Sequence, residues 1–308
     1  MNWFFYALLA AFVYSCSIVI DKALLTRQFR SISELSLTTA AALAGIPLLA
    51  ILLLFVRPLP SLHTLKFGLA AGWLLILAYQ LYYIALRKAD AALITTLFQL
   101  VLPFNFIIGI VFFNEKPTLL QVAGLIIITL GATLISLEQK ERKWRLRTDV
   151  LLLMASASLL LSTSDAVFKN AAENIPFFTL AVSEYASSVI AGFLLFLLVP
   201  KVRRELSSLR NKLTNTLGVL EFNELLTVCG TIAIRYSLVI GPIALIQGVM
   251  GTQPLMVMLI IGMLGLFGIH METRSKKRGS LRHTMVKLVA IIFVCTGSVF
   301  ISGAASKL

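Results

Sequence analysis

Ten apolar runs, most of them close to 20 residues long, alternate with short charged connections along this chain of 308 residues. A helix needs about 20 apolar residues to cross the hydrocarbon core of a bilayer, where every backbone amide must find its partner within the segment. We therefore predict an all-α membrane protein with ten transmembrane helices, near residues 3–20, 34–56, 67–86, 91–113, 118–137, 150–168, 176–199, 214–235, 240–268 and 285–303.

The composition excludes the common soluble classes of protein. Hydrophobic residues make up 58% of the chain and charged residues 13%, whereas soluble domains have roughly 45–50% and roughly 25%. The net charge of +13 does not indicate a nucleic-acid partner, because the basic residues form short runs between apolar segments. Three cysteines, all within apolar runs, give neither a disulfide framework nor the spacing of metal ligands. We expect no metal and no cofactor.

The distribution of basic residues predicts an orientation in the cell (inner) membrane. The odd-numbered connections between the ten predicted helices hold 21 of the 27 Lys and Arg residues. Basic connections remain in the cytoplasm by the positive-inside rule, so both termini are predicted outside. The alternation is unbroken along the chain, and one missed or extra crossing would disturb it.

The chain contains an internal repeat. Residues 85–113 and 237–265 both carry Ala-Leu-Ile followed by a proline, Pro103 or Pro254, and Lys22 and Lys169 follow small polar runs in the first and sixth predicted helices. We predict two five-helix halves, 1–139 and 150–308, joined by a basic linker at 140–149. An odd number of helices inverts the second half, as in many secondary transporters, whose binding site lies between the repeats near the middle of the membrane.

The residues of the first half resemble a known family. They comprise the run that begins at Tyr82-Tyr83 and ends at Ala92, then Pro103, the turn that contains Glu115, and a glycine-spaced fifth helix. This pattern is similar to the EamA family of the drug/metabolite transporter superfamily. The resemblance implies a transporter of small solutes, including amino acids, nucleotide sugars, lipid-linked sugars and drugs. Members usually keep both termini in the cytoplasm, which differs from the orientation that the loop charges predict.

Charged side chains within the predicted spans are candidates for binding substrate or protons, because burying each in lipid costs at least ~2.5–3.5 kcal/mol. Glu221, Glu224 and Arg235 share one face of the eighth helix with Thr231. Glu221 and Glu224 are one turn apart, so one of them can retain a proton. Alternatively, both simply extend toward the nearby basic loop.

Three further charged residues leave structural and functional interpretations open. Asp165 and Lys169 lie one turn apart on the sixth helix. They either neutralise each other or bind substrate. Glu184 lies in the seventh helix, with Arg235 or Lys169 as its expected partner, and either pair has a purely structural interpretation.

The ends of the first and third helices carry polar residues whose role the sequence leaves open. Tyr79, Tyr82 and Tyr83 end the third helix. Aromatic residues there usually form the interfacial belt, whereas the family resemblance places this helix at the cavity. Asp21 and Lys22 end the first helix, and we predict that both are interfacial.

Amide side chains occupy related places in the two halves. Gln99 and Asn105 lie in the fourth helix, and Gln247 and Gln253 lie in the ninth. These amides flank the two prolines and fit a central pocket, although hydrogen bonds between helices are an alternative.

The sequence as a whole predicts a secondary transporter, not an enzyme, that moves a small solute by alternating access. Its buried carboxylates suit coupling to protons, and therefore export. Two alternatives stay open: a lipid or lipid-linked sugar flippase of the same fold, and a membrane subunit without transport activity. Membrane lipid surrounds the chain in each case, and a homodimer is compatible with the sequence.

Overall fold

The computed structural model describes residues 2–56, 60–116, 118–135, 137–140, 143–146, 148–208 and 213–266, with single helical positions between 289 and 300. The α-helices are α1 (Asn2–Ala23), α2 (Glu34–Ala44), α3 (Ile46–Phe55), α4 (Leu62–Lys88), α5 (Ala91–Leu97), α6 (Val101–Phe113), α7 (Leu119–Ile135), α8 (Thr148–Ala171), α9 (Phe177–Leu198), α10 (Pro200–Ser208), α11 (Leu213–Ile240), α12 (Ile243–Met250) and α13 (Gln253–Leu266). A π-helical turn, Leu24–Gln28, extends α1, and a 3-10 turn, Phe98–Leu100, joins α5 to α6.

Eight helical segments in the described part of the chain are long and apolar enough to cross a membrane. They coincide with the first four predicted helices and with the sixth to the ninth. The fifth predicted helix corresponds to α7, whose 17 residues span about 25 Å, somewhat less than the hydrocarbon core. The tenth, at 285–303, lies outside the described residues apart from the single helical positions.

Three of the predicted helices are interrupted, and a proline lies close to each break. Pro47 lies in the first turn of α3, directly after the break at Gly45. Pro103 and Pro254 lack the amide hydrogen that would bind the carbonyl four residues earlier, and α5 and α12 end close to those carbonyls. The Met250 carbonyl, freed in this way, accepts a hydrogen bond from Gln99 Nε2 at 3.2 Å. The prediction of one continuous ninth helix was therefore wrong.

Small residues allow the central helices to approach closely. α4 packs against α8 and α9, and α1 packs against α11. A Cβ atom added at Gly68 or Gly72 of α4 would lie 2.5 Å from Ser183 or from the Glu184 carbonyl of α9. Small residues spaced by four are typical of such helix pairs in membranes. The outer faces, in contrast, expose large apolar side chains such as Phe55, as expected for contact with lipid.

The linker between the two predicted halves contains a short β-hairpin. Strand β1 (Leu137–Lys140) pairs antiparallel with β2 (Lys143–Leu146), so that Leu137 lies opposite Leu146. The all-α fold class is confirmed for the helical body of the protein, and this short hairpin, in the connection after the fifth predicted helix, was not predicted.

Candidate functional site

Two adjacent cavities of about 90 and 100 Å³ lie among the central helices. The first, named the α9 lobe, is bounded by α1, α2, α3, α4, α9 and α11. The second, named the α12 lobe, is bounded by α1, α4, the 3-10 turn, α6, α8, α11, α12 and α13. The lobes share six wall residues: Asp21, Leu75, Tyr79, Thr227, Thr231 and Arg235. A single water needs roughly 10–15 Å³ by this measure, so each lobe has room for several waters or for part of a small solute.

Arg235 is the centre of a buried ion network between the lobes. Its side chain is 2% exposed, and it contacts one carboxylate on α8 and one on α9. Nη1 donates to Asp165 Oδ1, while Nε and Nη2 donate to the two Glu184 oxygens at 3.1 and 2.6 Å. The guanidinium also lies over the Phe168 ring, 5.0 Å from its centroid. One cation therefore shares two carboxylates, and this group keeps a net negative charge when both are ionised.

Two amide side chains complete the surroundings of Asp165. Asn105 Nδ2 and Gln247 Nε2 donate to Asp165 Oδ2 at 3.0 and 3.3 Å. Lys169 does not contact Asp165. The alternative in which these two residues neutralise each other was wrong, because Lys169 Nζ lies 3.3 Å from Glu115 Oε1 and Asp165 pairs with Arg235 instead.

Asp21 is buried in the membrane-spanning part of α1 and lines both lobes. Its Oδ2 accepts a hydrogen bond from the Tyr82 hydroxyl at 2.9 Å, and its Oδ1 accepts bonds from the Tyr83 hydroxyl at 3.2 Å and from Asn223 Nδ2 at 2.8 Å. Lys22 is also buried, where Nζ donates to two backbone carbonyls. The prediction that Asp21 and Lys22 are interfacial was wrong, because tertiary contacts enclose the end of α1.

The two glutamates of α11 lie in different surroundings. Glu224 lines the α9 lobe beside the Tyr185 hydroxyl, whereas Glu221, one turn earlier, is exposed and lines neither lobe. The prediction that both share the binding face with Arg235 was therefore wrong for Glu221. A step of three leaves the two side chains about 60° apart around the helix and about 4.5 Å apart along it, and this offset takes Glu221 beyond the wall of the cavity.

The remaining polar candidates lie at or near the lobes. Tyr79, Tyr82 and Tyr83 all line at least one lobe, and the latter two are buried. Gln99 and Gln253 line the α12 lobe. Tyr79 stands between the two lobes, since it belongs to both walls. These placements favour the interpretation of the tyrosines as cavity residues over that of an interfacial belt.

Several polar residues at this site were missed by the sequence analysis. The hydroxyls of Tyr14 and Thr231 form a hydrogen bond of 2.8 Å, and those of Ser17 and Thr227 form one of 3.0 Å. These two pairs join α1 to α11 along the α12 lobe. Asn223 of α11, which contacts Asp21, was missed as well. The spacing of Ser17 and Asp21, one turn apart on α1, is the signal that would have identified this polar face.

Comparisons with known proteins agree with the helical architecture. Residues 1–137 match the model of the EamA-like transporter family, which is part of the drug/metabolite transporter superfamily. No curated protein matches the chain. One solved crystal structure of a protein has a similar fold, with a TM-score of 0.61 and a sequence identity of 14%. The match covers 98% of this chain and 98% of the other. Such low identity shows a shared fold and nothing about substrate.

Proposed function

We propose that the chain belongs to the EamA-like transporter family, whose model residues 1–137 match, and that it is a secondary transporter that moves a small solute by alternating access. Members of the family are transporters, and this chain is a multi-pass membrane protein with apolar spanning helices. The observation that carries the proposal is a cavity at membrane depth whose walls include carboxylates from both predicted halves, Asp21 on α1 and Glu224 on α11.

The pattern of helix packing supports two related halves, at 1–139 and 150–308, with a pseudo-twofold relation between them. The contact between α1 and α11 joins the first and eighth predicted helices, and the contact between α4 and α8 joins the third and sixth. In the predicted repeat the first helix corresponds to the sixth and the third to the eighth, so an operation that exchanges the halves places one contact on the other. The breaks after α5 and α12 also fall at matching positions of the repeat, since 98–100 aligns with 250–252.

The two repeat lysines make equivalent contacts, which also supports this relation. Lys22 Nζ donates to the Ala89 carbonyl at 2.7 Å, and Lys169 Nζ donates to the Gly241 carbonyl at 3.3 Å. Ala89 and Gly241 occupy matching positions in the predicted repeat. Inverted repeats of this kind move against each other around a central site in many transporters.

Contacts at both ends of the molecule join the two halves. At one end, Glu115 accepts bonds from Lys169 Nζ and from the Ile243 amide, at 3.3 and 3.2 Å. At the other end, Glu205 on α10 accepts bonds from Ser33 and Ser36 at the start of α2. We propose that these contacts break alternately as the cavity opens to one side and then the other.

Glu224 is the proposed proton-coupling residue. No cation lies within ion-pair distance of its carboxylate among the residues that the structure describes. Within a lipid environment such a carboxylate binds a proton or a cationic group readily. A carboxylate that binds proton and solute in turn couples solute movement to the proton gradient, and so supports export.

The test is transport in proteoliposomes that contain a trapped pH indicator and carry an imposed pH gradient. A panel of metabolites is added, and solutes that dissipate the gradient are identified. We expect Glu224→Gln to abolish this dissipation, whereas the matched control Glu221→Gln, which neutralises the exposed carboxylate one turn away, leaves it intact. Unchanged pH-dependent transport in Glu224→Gln would remove this residue from the mechanism.

A lipid flippase is the second candidate function, because the α9 lobe reaches the surface of the protein. Phe178 lines this lobe and is 64% exposed. A flippase needs such an opening toward lipid. The same proteoliposomes, labelled with fluorescent lipid and treated with a reductant that cannot cross the bilayer, distinguish the two functions. Lipid exchange between leaflets without movement of any soluble solute supports the flippase.

A further inference from the structure

We propose that Asp21 is the anchor for a protonated amine, so that the solute carries a primary or secondary ammonium group and an apolar body. This proposal rests on the proposed transport function, for which it names the chemical class of substrate. It concerns a subsite centred on Asp21, which lines both lobes, and on the three residues that donate hydrogen bonds to it, Asn223, Tyr82 and Tyr83.

Asp21 has hydrogen bonds but no counter-charge in the described part of the chain. Its partners are two tyrosine hydroxyls and one amide, all of them neutral donors. The adjacent Lys22 is directed elsewhere, since its Nζ donates to the Leu86 and Ala89 carbonyls at 2.6 and 2.7 Å. Asp165 and Glu184, in contrast, share the guanidinium of Arg235. Asp21 and Glu224 are therefore the cavity carboxylates without a counter-charge among the described residues, and since Glu224 is the proposed proton-coupling residue, Asp21 is the one assigned to a cationic ligand.

Asn223, which lines neither lobe itself but donates a hydrogen bond to Asp21, supplies the second observation. Its side chain is 4% exposed, and its Oδ1 is buried without a hydrogen-bond partner in the described residues. The amide cannot be reversed, because its oxygen would then face the Asp21 carboxylate, to which Nδ2 donates at 2.8 Å. A carboxylate beside an unfilled acceptor is suited to a group with a positive charge and more than one N–H donor. An ammonium group has both properties, whereas a proton on Asp21 leaves Asn223 Oδ1 unfilled.

The walls of the lobes suit the apolar body of such a solute. Tyr79 borders both lobes, and Tyr83 and Tyr185 line the α9 lobe. Most of the surface that the α9 lobe exposes is apolar, with Leu75 and Ile76 among its wall residues beside the charged side chains. Aromatic faces attract cations in addition to offering apolar surface. The site therefore favours an amine with an aromatic or aliphatic body over a sugar or a nucleotide.

The subsite crosses the boundary between the two predicted halves. Asp21 belongs to α1 and Asn223 to α11. A bound ammonium group that contacts both side chains connects these helices directly. Binding at this position is thus able to shift the balance between the two orientations of the halves, since a ligand acts through its differential contacts in each state.

The experiment compares amines with neutral alcohols of the same shape, using the purified full-length protein in detergent. The probes are benzylamine, 2-phenylethylamine and 4-phenylbutylamine, each paired with the corresponding alcohol, and binding is measured from the increase in melting temperature with concentration. At least one amine is expected to bind tenfold or more tightly than its alcohol. Asp21→Asn is expected to weaken that amine at least tenfold, about 1.4 kcal/mol, while the control Glu221→Gln leaves its affinity unchanged.

A second variant keeps the test decisive if Asp21→Asn does not fold. Asn223→Leu removes the unfilled acceptor with little change in volume, and amine affinity is expected to fall roughly three- to tenfold, the effect of one neutral hydrogen bond. Equal affinity for amine and alcohol in every pair would overturn the proposal. So would unchanged amine affinity in both variants, or stabilisation by sodium chloride that choline chloride does not reproduce, because that result assigns the subsite to sodium.

This experiment is independent of the transport assay. Binding in detergent requires no gradient and no vesicle, so amine recognition at Asp21 is measured even where no transport occurs. Loss of amine selectivity together with transport that depends on Glu224 contradicts only the substrate class. Selective amine binding without any solute movement contradicts the proposed transport function instead.

Discussion

Replacing Arg235 with methionine is expected to destabilise the protein far more than neutralising either of its acidic partners. The guanidinium is 2% exposed and binds Asp165 and Glu184. Without it, two carboxylates stay buried with no counter-charge among the described residues. Removing one partner of a buried ion pair costs about 3–5 kcal/mol, since the remaining charge is uncompensated. We expect Arg235→Met to fall in that range, which corresponds to a decrease in melting temperature on the order of 10 °C.

Neutralising one carboxylate leaves a balanced pair and costs less. In Asp165→Asn, Arg235 keeps both of its hydrogen bonds to Glu184, at 3.1 and 2.6 Å. The cost is therefore expected to be about 1–2 kcal/mol, the value of hydrogen bonds lost at one charged group. Combining Arg235→Met with Asp165→Asn and Glu184→Gln removes every charge of the network. This triple variant is expected to recover most of the stability that Arg235→Met alone loses.

The assay is thermal unfolding of the purified variants in one detergent, followed by tryptophan fluorescence. The double-mutant cycle between Arg235 and Glu184 isolates their coupling from the effect of each substitution alone. The reasoning is refuted if Arg235→Met melts within 2 °C of the unmodified chain, or if the triple variant is no more stable than Arg235→Met.

Three further predictions concern the ends and the packing of the molecule. Burial raises the pKa of Glu205, but hydrogen bonds from the start of α2 and the charge of Lys201 outweigh burial and lower the pKa below 4.5. The ionised Glu205 therefore stabilises the protein fully at neutral pH, and this stabilisation is lost as the pH falls through the lowered pKa. Thermal melts of Glu205→Gln should not show this loss of stability in acid. Gly72→Ala places a Cβ 2.5 Å from a backbone carbonyl of α9 and is expected to cost about 1–3 kcal/mol, whereas Gly262→Ala, which meets nothing within 4 Å, should not destabilise. Lys169→Met and Glu115→Gln should be non-additive by about 1 kcal/mol in a double-mutant cycle, because their side chains form one partly buried ion pair; additive effects would exclude that coupling.

The sequence was sufficient to identify the membrane class and eight of the spanning segments. Lipid demands a long apolar helix at each crossing, and this demand is visible in any window of about 20 residues. Pro103 and Pro254 are also visible in the sequence, but each lies within a segment that was predicted as one helix, because a missing amide hydrogen can bend a helix without ending it. The precise breaks, and the extension of α11 to Ile240, depended on neighbouring helices and were not evident from local composition.

The partners of the buried charges were decided by tertiary structure alone. Sequence spacing offered Lys169 as a partner for Asp165, but Lys169 contacts Glu115, 54 positions away, and Asp165 contacts Arg235, 70 positions away. Helical periodicity predicts which residues share a face, but not which helix that face meets. Asp21 shows the same limit, since its position near the end of a span suggested an interfacial residue until the packing of α4 and α11 enclosed it. Apolar length is a property of each segment by itself, whereas an ion pair within the bundle depends on how separate segments assemble.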